Sequence, residues 1–141
     1  MFAIYISHPY NGLLKNSVET EKIGKRLQEK FPEVLFVSPI HAIMDDYEET
    51  KYIIGMDHCI ELLRRCDAVA FFGDWETSRG CVAEYYAAKA YNKHIFDVID
   101  IDKMENEICD YINRNTKGGG AEDDEINTAM RHAMLSDVVF P

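Results

Sequence analysis

The sequence predicts an α/β domain built on a parallel sheet with helices on both faces. Three observations carry that expectation. Short apolar runs (2–6, 34–37, 68–72 and 94–99) alternate with longer amphipathic stretches, the pattern of strands buried between crossover helices. No two of these runs are joined by a hairpin turn, so neighbouring strands run parallel. Right-handed crossovers then bring the carboxyl ends of all the strands to one rim.

The elements follow in order. Strand 2–6 is apolar throughout, and Ser7-His8-Pro9-Tyr10-Asn11-Gly12 follows as a loop marked by Pro and Asn-Gly. A helix is expected from about Asn16, an N-cap with Glu19 three residues on. Val18, Ile23, Leu27 and Phe31 form its apolar side, and Pro32 ends it. The second strand is 34–37, and a polar loop containing Pro39 and His41 fills 38–49. The next helix, 52–65, presents Ile53, Met56, Ile60 and Leu63 inward. Strand 68–72 feeds a glycine-bracketed loop, 73–80, which opens the helix that carries Glu84. After Lys93 come a fourth strand, 94–99, and a helix over about 102–115. The glycine-rich, charged segment 116–124 reads as a linker, followed by a short helix, 126–135, and an apolar tail at Val138-Val139-Phe140. No internal repeat is visible. The division is a domain over 1–115 and an appendage over 116–141, part of the same domain or a subunit contact.

A length of 141 residues, 47% of them hydrophobic, suits one domain with a real core. The net charge of −10 argues against a duplex nucleic-acid binder. It leaves room for a phosphate-bearing small molecule, which loop amides and one arginine can hold locally. The cysteines at 59, 66, 81 and 109 form no CxxC pair and no metal-like cluster, so reduced thiols and no metal site are expected. No apolar run reaches the ~18 residues of a membrane span. The first residues enter a strand without a signal-peptide pattern. A cytoplasmic protein without membrane contact is expected.

The side chain that stands out is Glu84. Its helical neighbours at i+3, i+4 and i+7 are Ala87, Ala88 and Tyr91. A charge on an apolar stripe is costly to bury unless something answers it, and a place in about the first helical turn favours the anion. The sequence thus sets one ionised carboxylate beside a ligand-sized loop at the carboxyl end of a strand, where small molecules bind in open α/β sheets. Loops 7–12, 38–49 and 73–80 converge there, and Gly80 lets the backbone approach a ligand closely.

The segments YISHPYNG (5–12), VSPIHA (37–42), LLRRCDAVAFFGDW (62–75) and SRGCVAE (78–84) resemble the nucleoside 2-deoxyribosyltransferase-like superfamily. The likeness is to its small phage and bacterial members and nucleotide N-glycosidase relatives in particular. It covers about residues 2–98, and Ser-x-Gly-x-x-x-Glu is its most specific part. The resemblance implies a flavodoxin-like (Rossmann-like) three-layer sandwich with a parallel sheet of four to five strands, assembled as a homo-oligomer, a dimer or tetramer. It implies cleavage of the N-glycosidic bond of a nucleoside or its 5′-monophosphate without a cofactor, the sugar passing to another base or to water. By motif position Glu84 resembles the nucleophile, and Tyr5 a tyrosine that touches it. Ser78 stands where relatives acting on free nucleosides often carry Asp. Followed by Arg79, it points to a 5′-monophosphate, which an Asp would repel. The family's second carboxylate, an acid for the leaving base, has its nearest counterpart in Asp57, about two residues from the expected offset.

That chemistry suits the residues. A carboxylate at the anomeric carbon stabilises an oxocarbenium-like state or forms a covalent adduct. An acid beside the leaving base contributes about 10²–10⁴-fold, and Asp57, His8 and His41 are the candidates. Tyr10 or Trp75 can stack on the base, and Ser7, Gly12 and Asp74 complete the expected substrate-binding residues of the rim loops. Each has a plainer reading. Ser78 can serve only as an N-cap, Arg79 as a solvated charge, and Tyr5 as core. Asp57 can lie on a solvated helix face, the histidines can be loop residues, and Trp75 a packing lid. Tyr85, Tyr86 and Tyr91, with alanines between, suggest a helix buried on more than one side, the internal sign of oligomerisation. Beside the enzyme stands a catalytically silent nucleotide-binding or sensor module on the same fold. A flavin protein ranks lower, for want of a Ser/Thr-rich phosphate loop after the first strand.

Overall fold

The computed structural model describes residues 1–44, 48–98 and 100–117. Strands β1 (Phe2–Ser7), β2 (Val34–Val37), β3 (Ala68–Phe71) and β4 (His94–Phe96) form one parallel sheet in the order β2-β1-β3-β4. That order is the start of the flavodoxin-like arrangement. The connections carry α1 (Leu14–Lys30), α2 (Pro39–Ala42), α3 (Tyr52–Arg64) and α4 (Arg79–Ala90), and α5 (Ile101–Lys117) follows β4.

The two central strands position the site. Tyr5 lies opposite Val37 on one side and Val69 on the other, and Ser7 lies opposite Phe71. Alternate residues share a face, so Tyr5 and Ser7 look the same way. On that face Tyr5 packs with Leu63 of α3, Val69, Phe71 and Ala88 of α4. Ile4 and Ile6 look the other way, where Gly24 of α1 sits over Ile6. Every residue of β3 is buried, which is why its sequence is apolar without alternation.

Several boundaries differ from expectation, each for a local reason. α1 starts at Leu14 behind Leu13 and has no side-chain cap. Asn11 and Gly12 adopt positive φ (52° and 69°), and the Asn16 amide donates to the Tyr10 carbonyl at 3.0 Å. Asn16 therefore closes the preceding loop instead of capping the helix. Val18 is 40% exposed. The inward face of α1 carries Thr20 and Leu27, and the Thr20 hydroxyl donates to the Asn16 carbonyl at 2.7 Å. Ile53 is 76% exposed, so the inward stripe of α3 passes through Leu63, Met56 and Tyr52 and leaves Ile53 outside. The loop after β2 contains the α2 turn, which starts at Pro39. β3 stops at Phe71 and β4 at Phe96, earlier than the apolar runs suggest. α5 begins at Ile101 behind Asp100, whose carboxylate accepts from the Asp102 N–H at 2.8 Å. Tyr86 and Tyr91 are 65% and 46% exposed, so within this chain α4 is buried on one side.

The chain divides into two compact units, Met1–Glu105 and Asn106–Pro141. The first holds the sheet, α1 to α4 and the first turn of α5. In the second, the structure describes the rest of α5, with Ile108 and Ile112 buried one turn apart. The helix expected at 126–135 and the tail at 138–140 lie outside the described residues. Among the described residues no helix is long and apolar enough to cross a membrane.

Within the first unit, α1 is tied to the start of α5 by ion pairs. Glu105 accepts from Arg26 Nε at 2.6 Å and Lys30 Nζ at 2.7 Å, and Arg26 also reaches Asp102 at 2.6 Å. Glu105 is buried, while its two cationic partners remain half in solvent. Burial pushes its carboxyl up, but Arg26 and Lys30 pull it further down, below the usual range. Glu105→Gln is therefore expected to cost on the order of 1 kcal/mol at pH 7, discounted for solvent. A carboxyl held low in the fold contributes above its unfolded pKa and loses that contribution as pH falls through its folded pKa. In urea titrations the gap between wild type and Glu105→Gln should close towards pH 3.

Candidate active site

Ser78 follows a short 3₁₀ turn (Trp75–Thr77) and caps α4. Its hydroxyl accepts from the Cys81 N–H at 3.4 Å and its carbonyl from the Val82 N–H at 2.9 Å. The buried residues of α4 are Cys81, Glu84 and Ala88, spaced to share one face. That stripe turns Glu84 towards the sheet, where it is only 6% exposed. Glu84 is the sixth residue of α4, beyond the first turn, so the helix dipole favours its anion less than expected.

Facing Glu84 is a set of buried polar atoms that close no hydrogen bond of ordinary geometry. Tyr5 Oη, Ser7 Oγ, Tyr52 Oη and Glu84 Oε2 are all buried and lack a hydrogen-bond partner. Tyr5 and Ser7 come from the end of β1, Tyr52 opens α3, and Glu84 comes from α4. An unsatisfied buried polar group costs about 1–3 kcal/mol. Such a group in a folded protein calls for an explanation, and a ligand site is one.

Burial pushes the Glu84 carboxyl up to about 7, while the nearby Tyr5 and Ser7 hydroxyls draw it back down. Those hydroxyls are close enough to bias the proton, yet neither closes a hydrogen bond of ordinary geometry on Oε2. At neutral pH the carboxyl is thus divided between its two forms. The expectation of a simply ionised group gives way because desolvation outweighs the helix dipole. Burial, then the charge of Glu84, also raises Tyr5 well above its ordinary 10.0. Burial and Glu84 push the Cys59 thiol up to about 11. Cys81 is raised by burial, with Ser7 and Ser78 opposing. Around the carboxyl, Tyr5, Cys59 and Cys81 therefore stay protonated and neutral at pH 7.

The rim above this cluster is shaped by two glycines. Gly73 turns the chain after β3 at φ 63°, and a Cβ there would stand 3.3 Å from His8 Nε2. A Cβ on Gly80 would stand 3.3 Å from Tyr52 Oη and 3.4 Å from Met56 Sδ. Arg79 lies with its guanidinium 4.1 Å over the Tyr52 ring and pairs with Glu49.

The family model for a domain of unknown function, DUF4406, matches residues 2–97. The chain belongs to the DUF4406 family. Among solved structures, a conserved protein from Enterococcus faecalis V583 shares 17% identity at a TM-score of 0.54, covering 67% of this chain and 61% of that one. The chain thus spans less than two thirds of that protein's length, and the likeness is one of fold. A 2-deoxyribosyltransferase from the psychrotolerant bacterium Bacillus psychrosaccharolyticus shares 16% identity at a TM-score of 0.47, covering 70% of this chain and 77% of that one. No curated protein matches the sequence.

In this DUF4406 domain the sequence-based candidates fall into two groups. Glu84, Tyr5, Ser7, Ser78 and Gly80 meet at the carboxyl ends of β1 and β3. Others are engaged elsewhere. The His8 ring is buried, with Nδ1 2.7 Å from the Pro9 carbonyl and Nε2 3.1 Å from Glu19. It ties the first loop to α1. His41 is exposed and contacts Ser38 and Ser17. It lines a groove of about 470 Å³ between α1 and β2, on the Ile6 side of the sheet and not the Tyr5 side. Asp57 is exposed on α3 and lies outside the buried cluster. Trp75 stacks on Tyr85 at 5.0 Å and leans on Phe71 at 4.9 Å. Asp74 is exposed, its carbonyl taken by Thr77. The Tyr10 carbonyl is taken by Leu13 and Asn16, and Gly12 is exposed.

Tyr52 and Cys59 join the cluster without having been singled out in the sequence. The signal was there: Tyr52, Met56, Cys59 and Leu63 recur at helical spacing. Among the described residues no group of three or more His, Cys, Asp or Glu side chains is arranged to hold a metal ion.

Proposed function

We propose that this protein cleaves the N-glycosidic bond of a (deoxy)nucleoside 5′-monophosphate or nucleoside, with Glu84 as nucleophile and the sugar passing to water or another base. The observation that carries this reading is the buried, unpartnered carboxylate oxygen of Glu84 among orphaned hydroxyls at the strand ends. The sequence motifs that resemble deoxyribosyltransferases supply the substrate class. Residues 1–115 carry the activity, with 116–141 as an appendage or subunit contact in a cytoplasmic homo-oligomer.

The chemistry follows from the surroundings. A desolvated anion without a cationic partner interacts strongly with a sugar that becomes oxocarbenium-like. Attack by the carboxylate on the anomeric carbon breaks the C–N bond and leaves an ester between the sugar and Glu84. Water or a second base then displaces the carboxylate. Tyr5 orients the attacking group by donating its hydroxyl once substrate draws the two together. Asp57, exposed on α3, or solvent at the rim gives the leaving base its proton. Ser78 and Arg79 hold the 5′-phosphate.

The same position of Asp57 favours a second reading, a catalytically silent nucleotide-binding module. Incubation with a panel of nucleosides and nucleoside 5′-monophosphates, followed by chromatography for free base, separates the two. Base release that disappears in Glu84→Ala supports the enzyme, and tight binding without release supports the silent module.

The phosphate subsite has its own test. Aspartate caps a helix as well as serine does, so Ser78→Asp should keep the fold and place a charge where the phosphate sits. Monophosphate affinity is expected to fall by about tenfold or more, while affinity for the parent nucleoside changes little. Equal affinities before and after the substitution, measured by calorimetry, would remove Ser78 from the site.

A further inference from the structure

We propose that Tyr52 is a substrate-binding residue whose hydroxyl bonds to the sugar ring of the ligand held against Glu84. This rests on the reading above and adds a residue to it. The observation is an inverted tyrosine. A partly buried tyrosine ordinarily keeps its ring in the apolar interior and its hydroxyl in water or on a partner. Tyr52 does the reverse, since the residue is half-buried while its hydroxyl oxygen is sealed from solvent and bonded to nothing.

The surroundings hold it there. Arg79 covers the ring at 4.1 Å and is anchored on Glu49, in the 3₁₀ turn (Glu49–Lys51) that leads into α3. The hydroxyl looks onto Gly80, within 3.3 Å of where a Cβ would stand, with Ser78 Oγ 4.0 Å from the same point. A side chain at position 80 would crowd the hydroxyl, and glycine leaves it room. Burial makes the Tyr52 proton harder to remove, Arg79 opposes this, and Glu84 lies close enough to add to it.

The chemistry of the four orphaned atoms selects the ligand class. Three hydroxyls and one carboxyl lie buried on facing elements, with Tyr5, Ser7 and Tyr52 all near enough to interact with Glu84. An apolar ligand leaves all of them unpaired, and a phosphate placed here meets the Glu84 carboxylate. A pentose ring, with hydroxyls on neighbouring carbons, both donates and accepts and matches the set.

Tyr52→Phe removes one oxygen that has no partner in the fold, so Tm is expected to stay level or rise. For the nucleoside 5′-monophosphate that wild type cleaves fastest, kcat/KM should fall about tenfold, the effect of one hydrogen bond. In the non-cleaving Glu84→Gln background, adding Tyr52→Phe should weaken the calorimetric Kd for that nucleotide by a similar factor. Gly80→Ala, which presses on the hydroxyl, should lower kcat/KM in the same direction with the fold intact.

Wild-type cleavage with Tyr52→Phe within about twofold of wild type in kcat/KM and Kd would overturn the role of Tyr52 and leave the glycosidase reading standing. A drop in Tm of several degrees in Tyr52→Phe would mark a structural role and overturn it as well. Binding of a nucleotide without base release would end the glycosidase reading, and the paired Kd values would then decide Tyr52 alone. No release and no binding across the panel would overturn both.

Discussion

Replacing Glu84 by glutamine is expected to stop base release and, at pH 8, to make the fold harder to unfold. The two effects have one origin. The amide matches the carboxyl in size but cannot attack an anomeric carbon, so kcat should fall by about 10³-fold or more. The same amide carries no charge into a site where burial alone pushes the carboxyl up to about 7. The difference between that value and the ordinary 4.5 corresponds to about 3 kcal/mol as an upper bound. At pH 8 wild type bears this cost and Glu84→Gln does not. A residue kept for packing alone would behave differently, since its glutamine variant would change stability while base release stayed near wild type. Urea unfolding at pH 8 and the base-release assay, run on the same preparation, read both effects.

The pH dependence of wild type is the second large expectation. An acid whose folded pKa lies above its unfolded value binds its proton more tightly in the fold. Between pH 4.5 and 7 unfolding therefore releases a proton at Glu84, and its contribution to stability declines as pH rises through that window. Above about 7 the decline ends. Carboxyls held low, such as Glu105 between Arg26 and Lys30, tilt the total curve the opposite way, so the difference between wild type and Glu84→Gln isolates the effect. That difference should be near zero at pH 4 and grow to as much as about 3 kcal/mol by pH 8. Activity runs in the other sense. The anion is the attacking form, so kcat/KM should climb with pH and level off, with an apparent pKa near 7. Stability and activity thus trade against each other across one titration. A rate profile flat from pH 5 to 8 would exclude Glu84 as the group that must lose its proton.

Much of this arrangement was legible in the residues. The alternation of apolar runs and amphipathic stretches was enough for a parallel sheet, since β3 is buried along its whole length and cannot alternate. The stripe of Cys81, Glu84 and Ala88 was readable because helical spacing alone decides which side chains share a face. Ser78 as a cap was readable from local chemistry. What escaped depends on contacts between elements. Val18 and Ile53 lie outside the buried faces of their helices, and their apolar character misplaced those faces. Asn16 bonds backward into a loop whose turn is made by Asn11 and Gly12. His8 sits in the first rim loop and His41 on α2, and Glu19 and Ser38 engage them.

The charge state of Glu84 was the harder matter. A sequence shows a carboxylate at a helix start and suggests an anion. It does not show that the opposing strand offers only neutral hydroxyls, or that Arg79 is turned towards Glu49. Tyr52 was hidden for a related reason. Its helical spacing with Met56, Cys59 and Leu63 was visible, but the position of Gly80 beside its hydroxyl was not.

The most direct test of Glu84 as the attacking group is the mass of the peptide that contains it. Wild-type protein is mixed with a cleaved nucleotide, quenched in acid during turnover, digested and weighed. A sugar phosphate, or a sugar where a nucleoside is the substrate, should be found esterified to Glu84. A sugar on another residue, or steady base release with the Glu84 peptide at its unmodified mass, would contradict the account.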